Sequence, residues 1–180
     1  MSKKIRIISL IFVTIIILGV SYKNIMKCIY PLKYSAFVEK YSKEYDLDKY
    51  LIYSIIKTES KFKEDAVSYK KAKGLMQISD VTASWGGKEL GIENVDIFDP
   101  ETNINIGAWY LNRLEDEFDG NLELAITAYN GGSGNVRKWL KDKRYSRDGK
   151  NLQKIPFKET SDYTYKVLKN YERYKSLYRK

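Results

Sequence analysis

The 180-residue sequence contains no histidine. That absence excludes a Ser-His-Asp triad, a Cys-His nucleophile pair and any histidine-ligated metal. The single cysteine, Cys28, rules out an intramolecular disulfide, so the fold must stand on packing alone. No alternating apolar run of strand length stands out, and there is neither an internal repeat nor a low-complexity linker. Acidic residues are missing from positions 1–33, which carry Lys3, Lys4, Arg6, Lys23, Lys27 and Lys33. The net charge of +9 is concentrated there, because the remainder holds 26 basic and 23 acidic residues, a balance of +3. A nucleic-acid binder loses most of its electrostatic support. The basic C-terminal stretch (Lys166, Lys169, Arg173, Lys175, Arg179, Lys180) reads as a solvated helix face, or as a patch drawn to an anionic surface.

What is present suits one domain with an appendage. The chain is 43% hydrophobic and 14% aromatic, enough for a sizeable core. Its sixteen tyrosines suit a wet groove with apolar walls. Lys3-Lys4-Ile5-Arg6 precedes an apolar run from Ile7 to Val20. Counted from Ile5 to Tyr22, the segment is about long enough to cross a bilayer as a helix. A cleaved signal peptide would need a small-x-small site after it, and Ser21-Tyr22-Lys23-Asn24-Ile25-Met26 offers none. Lys27 beside Cys28 is unlike a lipoprotein signal. The expectation is an uncleaved signal anchor within residues 1–33, with a cytoplasmic stub before it and a short linker after it. The positive-inside rule gives only a mild preference for the N-terminus inside.

From residue 34 the periodicity is helical. Helices are expected over 34–45, from Asp48 to Glu59, from Pro100 to Phe118, and over 121–129, 134–141 and 161–178. Asp99-Pro100-Glu101 supplies an N-cap, a proline at the first position and an early acid. Residues 60–98 read as turns, broken by Gly74, Gly86, Gly87 and Gly91. The reading is a mainly α single domain spanning 34–180.

On a helical wheel Leu51, Ile52, Ile55 and Ile56 form one apolar arc, and Glu59 falls near its middle. Desolvation there would raise the carboxyl pKa and keep a proton available for general acid catalysis. By itself the wheel favours the plainer reading, a terminal glutamate that reaches water or pairs with Lys61 or Lys63.

Four ordered motifs narrow the choice. Glu59-Ser60-Lys61-Phe62, Gly74-Leu75-Met76-Gln77-Ile78, Ala128-Tyr129-Asn130-Gly131-Gly132 and Phe157-Lys158-Glu159-Thr160-Ser161-Asp162-Tyr163 resemble the Slt-type lytic transglycosylases of glycoside hydrolase family 23. The stretch Phe98 to Ile104 and the segment Gly107 to Leu111 also read like that family. The similarity covers about residues 35–175. It implies a lysozyme-like helical fold with a glycan-binding groove, and Glu59 as the catalytic acid. It also implies cleavage of the β-1,4 bond between N-acetylmuramic acid and N-acetylglucosamine, with a 1,6-anhydro end and no consumption of water. One carboxylate can give a proton to the leaving oxygen and then take one from the 6-hydroxyl. The substrate acetamido oxygen would stabilise the cationic centre. That chemistry needs no cofactor and no metal. The partners it implies are peptidoglycan strands and, through the anchor, a cell membrane with the catalytic domain on its wall side. It names no protein partner.

The resemblance assigns substrate contacts to Ser68, Gly74, Met76, Gln77, Tyr129, Asn130, Glu159 and Tyr163. Gln77 carries an amide suited to an N-acetyl group, and Gly74 permits a tight turn at the groove wall. Core packing is the favoured reading for Met76, as it is for Leu75 and Ile78. Glu159 and Tyr163 could instead tie the last helix to the core. Glu64, Asp65 and Asp80 stay open as a second carboxylate. Ser79-Asp80 depart from the methionine and proline that often follow in similar enzymes. Rival functions are a muramidase that cuts the same bond with water and a noncatalytic wall-binding protein.

Overall fold

A computed structural model describes residues 22–179. The apolar segment expected to anchor the chain lies almost wholly outside these residues. Seven helices carry the fold after a helical stretch over residues 22–29. They are α1 (Ser35–Glu44), α2 (Lys49–Glu59), α3 (Asp80–Glu89), α4 (Pro100–Glu117), α5 (Leu122–Gly131), α6 (Ser133–Lys141) and α7 (Lys158–Tyr178). Among the described residues β structure is limited to two isolated antiparallel bridges, Val67 with Lys73 and Lys73 with Ile78.

Short polar side chains start four of these helices by bonding free N–H groups of the first turn. Asp48 accepts from Tyr50 N at 2.8 Å and Ser79 from Thr82 N at 3.1 Å. Asp99 accepts from Thr102 N at 2.8 Å, with Pro100 following at the first helical position, and Asn121 accepts from Leu124 N at 3.2 Å. The expected helices therefore appear, with α7 starting three residues earlier than the apolar spacing suggested.

The one helix not expected is α3. Gly86 and Gly87 do not break the chain; both lie buried inside the helix. A Cβ on Gly86 would stand 2.8 Å from Ile106 Cγ2 and 3.2 Å from the Trp109 ring. The glycine is thus a packing device that lets α3 lie close on α4, and it was misread as a turn signal.

Helix α2 is the centre of the molecule. Residues Tyr50 to Ile56 are all buried, against α1 on one side and α7 on the other. Leu75, Met76, Ile104, Ile106 and Leu111 complete this main core. A second cluster joins the end of α4 to α5 and α6 through Leu114, Phe118, Leu124, Val136 and Trp139. The last residues of α2 run out of the main core towards solvent, and there the carboxylate of Glu59 emerges.

Candidate active site

Glu59 closes α2, and the next residues turn the chain sharply away. Ser60 Oγ accepts from Phe62 N at 3.1 Å, while Lys61 and Phe62 both take left-handed backbone angles (φ 53° and 65°). Such residues cost of order 1–2 kcal/mol each. Burial of Phe62, 6.4 Å from the Tyr53 ring centre, offsets that cost. The sharp turn leaves Glu59 at a rim instead of sealing it inside.

The carboxylate faces a cleft of about 170 Å³ lined by Glu59, Ser68, Tyr69, Lys70, Ala72, Gln77, Tyr129, Asn130 and Glu159. Its pKa is raised to about 7, first by burial and then by the negative charge of Glu159, while Tyr163 pulls it back down. The end of α2 disfavours an anion in the same sense as burial. Tyr163 Oη lies against the carboxylate but stops short of a formed hydrogen bond, and this buried hydroxyl has no other partner among the described residues.

Glu159 is the other carboxylate of the cleft. Lys70 Nζ donates to both its oxygens at 2.9 and 3.0 Å and holds its pKa down. Tyr69 Oη adds a bond of 3.3 Å. One wall group is thus poised to hold a proton near neutrality while the other stays anionic. Glu64 and Asp80, both left open by the sequence, are engaged elsewhere. Tyr34 Oη donates to Glu64 at 3.0 Å, and Lys73 pairs with Asp80 at 2.6 Å. Asp65 does not line the cleft either.

Residues of the second motif divide between cleft and support. Gln77, itself left-handed at φ 51°, donates both amide hydrogens inward, to Ala66 O at 3.0 Å and Gly74 O at 2.9 Å. Only its side-chain oxygen is left for a ligand. Ser68 Oγ accepts from Ala72 N at 3.1 Å and forms part of the turn as well as of the cleft wall. Gly74 and Met76 do not reach the cleft. Gly74 is buried at φ 76°, where a Cβ would collide with Asn103 Nδ2. The Met76 side chain is wholly buried and lies over Gly107. Burial places Gly74 and the Met76 side chain in a supporting position behind the wall. Met76 still offers its carbonyl, which accepts from Tyr129 Oη at 3.0 Å. That bond fixes the Tyr129 ring in the cleft.

The residue missed by the sequence reading is Asn103. It is wholly buried in the first turn of α4, holds the 73–78 loop with two bonds and ties it to Ile97 with a third. Its Oδ1 accepts from Met76 N at 2.8 Å, and its Nδ2 donates to Lys73 O at 3.0 Å and to Ile97 O at 2.8 Å. A polar residue on the inner face of an amphipathic helix was the available signal. Tyr69, Lys70 and Ala72 also line the cleft without having been singled out. A second cavity of about 200 Å³ continues from Gln77, Tyr129 and Asn130 to Ser79, Thr82 and Tyr110.

This ordered set of helix end, tight loop and glycine-flanked tyrosine coincides with a known sequence profile. The family model described as the transglycosylase SLT domain matches residues 36–153, about two thirds of the chain. The chain belongs to the transglycosylase SLT domain family. Within 144 residues the SLT domain is 35% identical to the soluble lytic murein transglycosylase of Salmonella typhimurium, covering 77% of this chain and 22% of that one. It is 35% identical over 171 residues to the membrane-bound lytic murein transglycosylase C of Edwardsiella ictaluri, covering 78% and 47%. The chain thus spans under half of either relative.

Solved structures agree on the architecture. An inactive glutamate-to-glutamine mutant of the lytic transglycosylase Slt of Pseudomonas aeruginosa matches with a TM-score of 0.74 and 33% identity, over 84% of this chain and 25% of that one. A complex of the 70-kDa soluble lytic transglycosylase with bulgecin A matches with a TM-score of 0.77 and 30% identity, over 86% and 26%. The SLT domain described here is mainly helical and has the lysozyme-like fold of these enzymes. No helix of the described residues is long and apolar enough to cross a membrane.

Proposed function

We propose that this chain is a peptidoglycan lytic transglycosylase that cleaves the N-acetylmuramic acid–β-1,4–N-acetylglucosamine bond, with Glu59 as acid and base in turn. The observation that carries the reading is the carboxyl of Glu59, held to about 7 in a cleft whose other carboxylate is ion-paired. A protonated Glu59 gives its proton to the glycosidic oxygen as the bond to the anomeric carbon breaks. The resulting anion takes the proton of the muramoyl 6-hydroxyl as that oxygen attacks the same carbon. The group returns to its starting state, and no water is consumed. Glycosidases with two carboxylates use the second as nucleophile or base. Glu159, clasped by Lys70, is poorly placed for that work, which leaves the cationic centre to the substrate's acetamido oxygen. The free oxygen of Gln77 suits an acetamido N–H, and Ser68, Tyr129 and Asn130 line the same cleft.

Residues 34–180 form the catalytic domain in this reading, and residues 1–33 hold the domain to the cell membrane on its wall side. The apolar run from Ile5 to Tyr22 supports the anchor, as does the name of the membrane-bound relative. N-terminal sequencing of the protein recovered from membranes checks it. A mature chain beginning near residue 25–35 would show that a peptidase removes the segment.

The decisive experiment digests purified peptidoglycan with wild type beside Glu59→Gln and analyses the products by mass spectrometry. The expected result is 1,6-anhydro ends with wild type and a loss of at least a thousandfold in turnover with the variant, which still folds and binds strands. A predominance of reducing ends would identify a muramidase. Undiminished cleavage by Glu59→Gln would overturn the assignment of the acid.

A further inference from the structure

The short helix over residues 22–29 is fastened to the domain along one side only. Tyr30 N extends its pattern with a bond of 2.8 Å to Met26 O, and Pro31 then ends it, because a residue before proline is pushed out of helical angles. Lys57 Nζ donates to Ile29 O, Tyr178 Oη to Tyr30 O and Tyr174 Oη to Pro31 O. Met26 and Tyr30 are half-buried, and Lys27 Nζ lies 5.7 Å from the centre of the Tyr178 ring.

The other side is apolar and bare. At 3.6 residues per turn, Tyr22, Ile25 and Ile29 fall within one arc of about 60°. They are 56%, 58% and 49% exposed, and Leu32, just past the proline, is exposed as well. An apolar stripe at helical spacing ordinarily faces a core. Among the described residues nothing covers this one.

Two observations say what does. The apolar run that starts at Ile5 ends at Tyr22, so a bilayer that holds the run is brought to the edge of the stripe. The stripe is also bordered by Lys23, Lys27 and Lys33, and no acid precedes Glu39. Isoleucine and tyrosine side chains edged by lysines are the composition of a helix that lies in a headgroup layer. A second copy of the chain is a poor cover, because a two-fold interface would set these lysines against their own equivalents.

We propose that the stripe of Tyr22, Ile25 and Ile29, with Leu32, beds in the headgroup layer of an anionic phospholipid bilayer. The domain is then seated on the membrane instead of swinging on its tether. The inference rests on the anchor proposed above and adds an orientation to it. So short a stripe buries too little area to hold a domain to lipid by itself. Tethered at Tyr22 it never leaves the surface, and a weak contact is then kept occupied. Lys57, Tyr174 and Tyr178 fix the helix to the domain, so seating the helix orients the whole.

The test reconstitutes the full chain into vesicles of phosphatidylcholine mixed with phosphatidylglycerol. Cys28 is exposed beside Ile29 and, as the single cysteine, takes a fluorescent label without any substitution. Acrylamide in the aqueous phase quenches a label that lipid does not cover. Ile25→Ser combined with Ile29→Ser is expected to raise the quenching constant at least about threefold, with an unaltered melting temperature. Lys23→Gln combined with Lys33→Gln is expected to give a smaller rise, and only where phosphatidylglycerol is present. A wild-type label as open to acrylamide as that of the serine variant would overturn the proposal, because the domain would then swing free. A label equally covered in both would mark mere nearness to the anchor and overturn it too. So would shielding that disappears as the chain is diluted in lipid, the mark of a second copy as the cover. The anchor is scored separately, by flotation of the vesicles after a carbonate wash. A chain that fails to float refutes the anchor, and one that floats with an uncovered label refutes only the seating.

Discussion

At the scale of single residues the chemistry turns on how much water Glu59 keeps. Burial raises its pKa to about 7, whereas an unfolded chain would ionise it near 4.5. Between those values the folded state holds a proton that the unfolded state has lost, so rising pH subtracts stability across that window. The subtraction is complete above pH 7 and amounts to roughly 3 kcal/mol. Glu59→Gln, always neutral, should therefore melt higher than wild type at pH 8 and equally at pH 4, as read by calorimetry at both values. A constant difference across the range would mean that the carboxyl is not desolvated. Tyr163 acts in the opposite sense, because its phenol pulls the same pKa down. Tyr163→Phe should move the alkaline limb of kcat/KM to higher pH without lowering the melting temperature, since the lost hydroxyl had no partner. A limb that moves to lower pH would contradict this account.

At the scale of elements the sequence was legible where one side chain does one local job. Asp99 announced its helix because capping is decided within three residues. The wheel placed Glu59 on the buried arc of α2 for a similar reason: helical periodicity is local. Neighbours distant in sequence set the rest. Gly86 could not be told from a turn glycine without the Ile106 and Trp109 that press on it. Tyr163 reaches Glu59 across more than a hundred residues, and the Lys70 clasp on Glu159 is equally non-local. Asn103 is the clearest such case, for one amide supports a loop that begins thirty residues earlier. Asn103→Ala leaves Met76 N, Lys73 O and Ile97 O without that partner and should cost about 3 kcal/mol. Calorimetry should record a melting temperature lower by roughly 6–12 °C. A fall of under 2 °C would show that the loop finds other partners.

At the scale of the whole molecule, contacts of the domain reach back past residue 34. Residues read as a short linker are bonded to the core. Tyr178 Oη donates to Tyr30 O at 2.7 Å, Tyr174 Oη to Pro31 O at 3.2 Å and Lys57 Nζ to Ile29 O at 2.6 Å. The Tyr30 ring meets that of Tyr174 edge-on at 5.3 Å. A chain that begins at residue 34 loses all of these contacts and should be less stable by roughly 2–3 kcal/mol than one that begins at residue 22. Urea titration of the two would settle it, and equal midpoints would show that the contacts contribute nothing.

Helix α7 connects this attachment to the cleft. Glu159 and Tyr163 lie near its first residues, and Tyr174 and Tyr178 near its last. At 1.5 Å per residue the fifteen steps from Glu159 to Tyr174 span roughly 22 Å. Under the anchor proposed above, the helix is a strut and the tyrosine joint is its foot. The cutting edge then works at a fixed stand-off of two to three nanometres at most from the point where the tether leaves the domain. Its reach into the wall is bounded by that length, so only the innermost strands come within range of the blade.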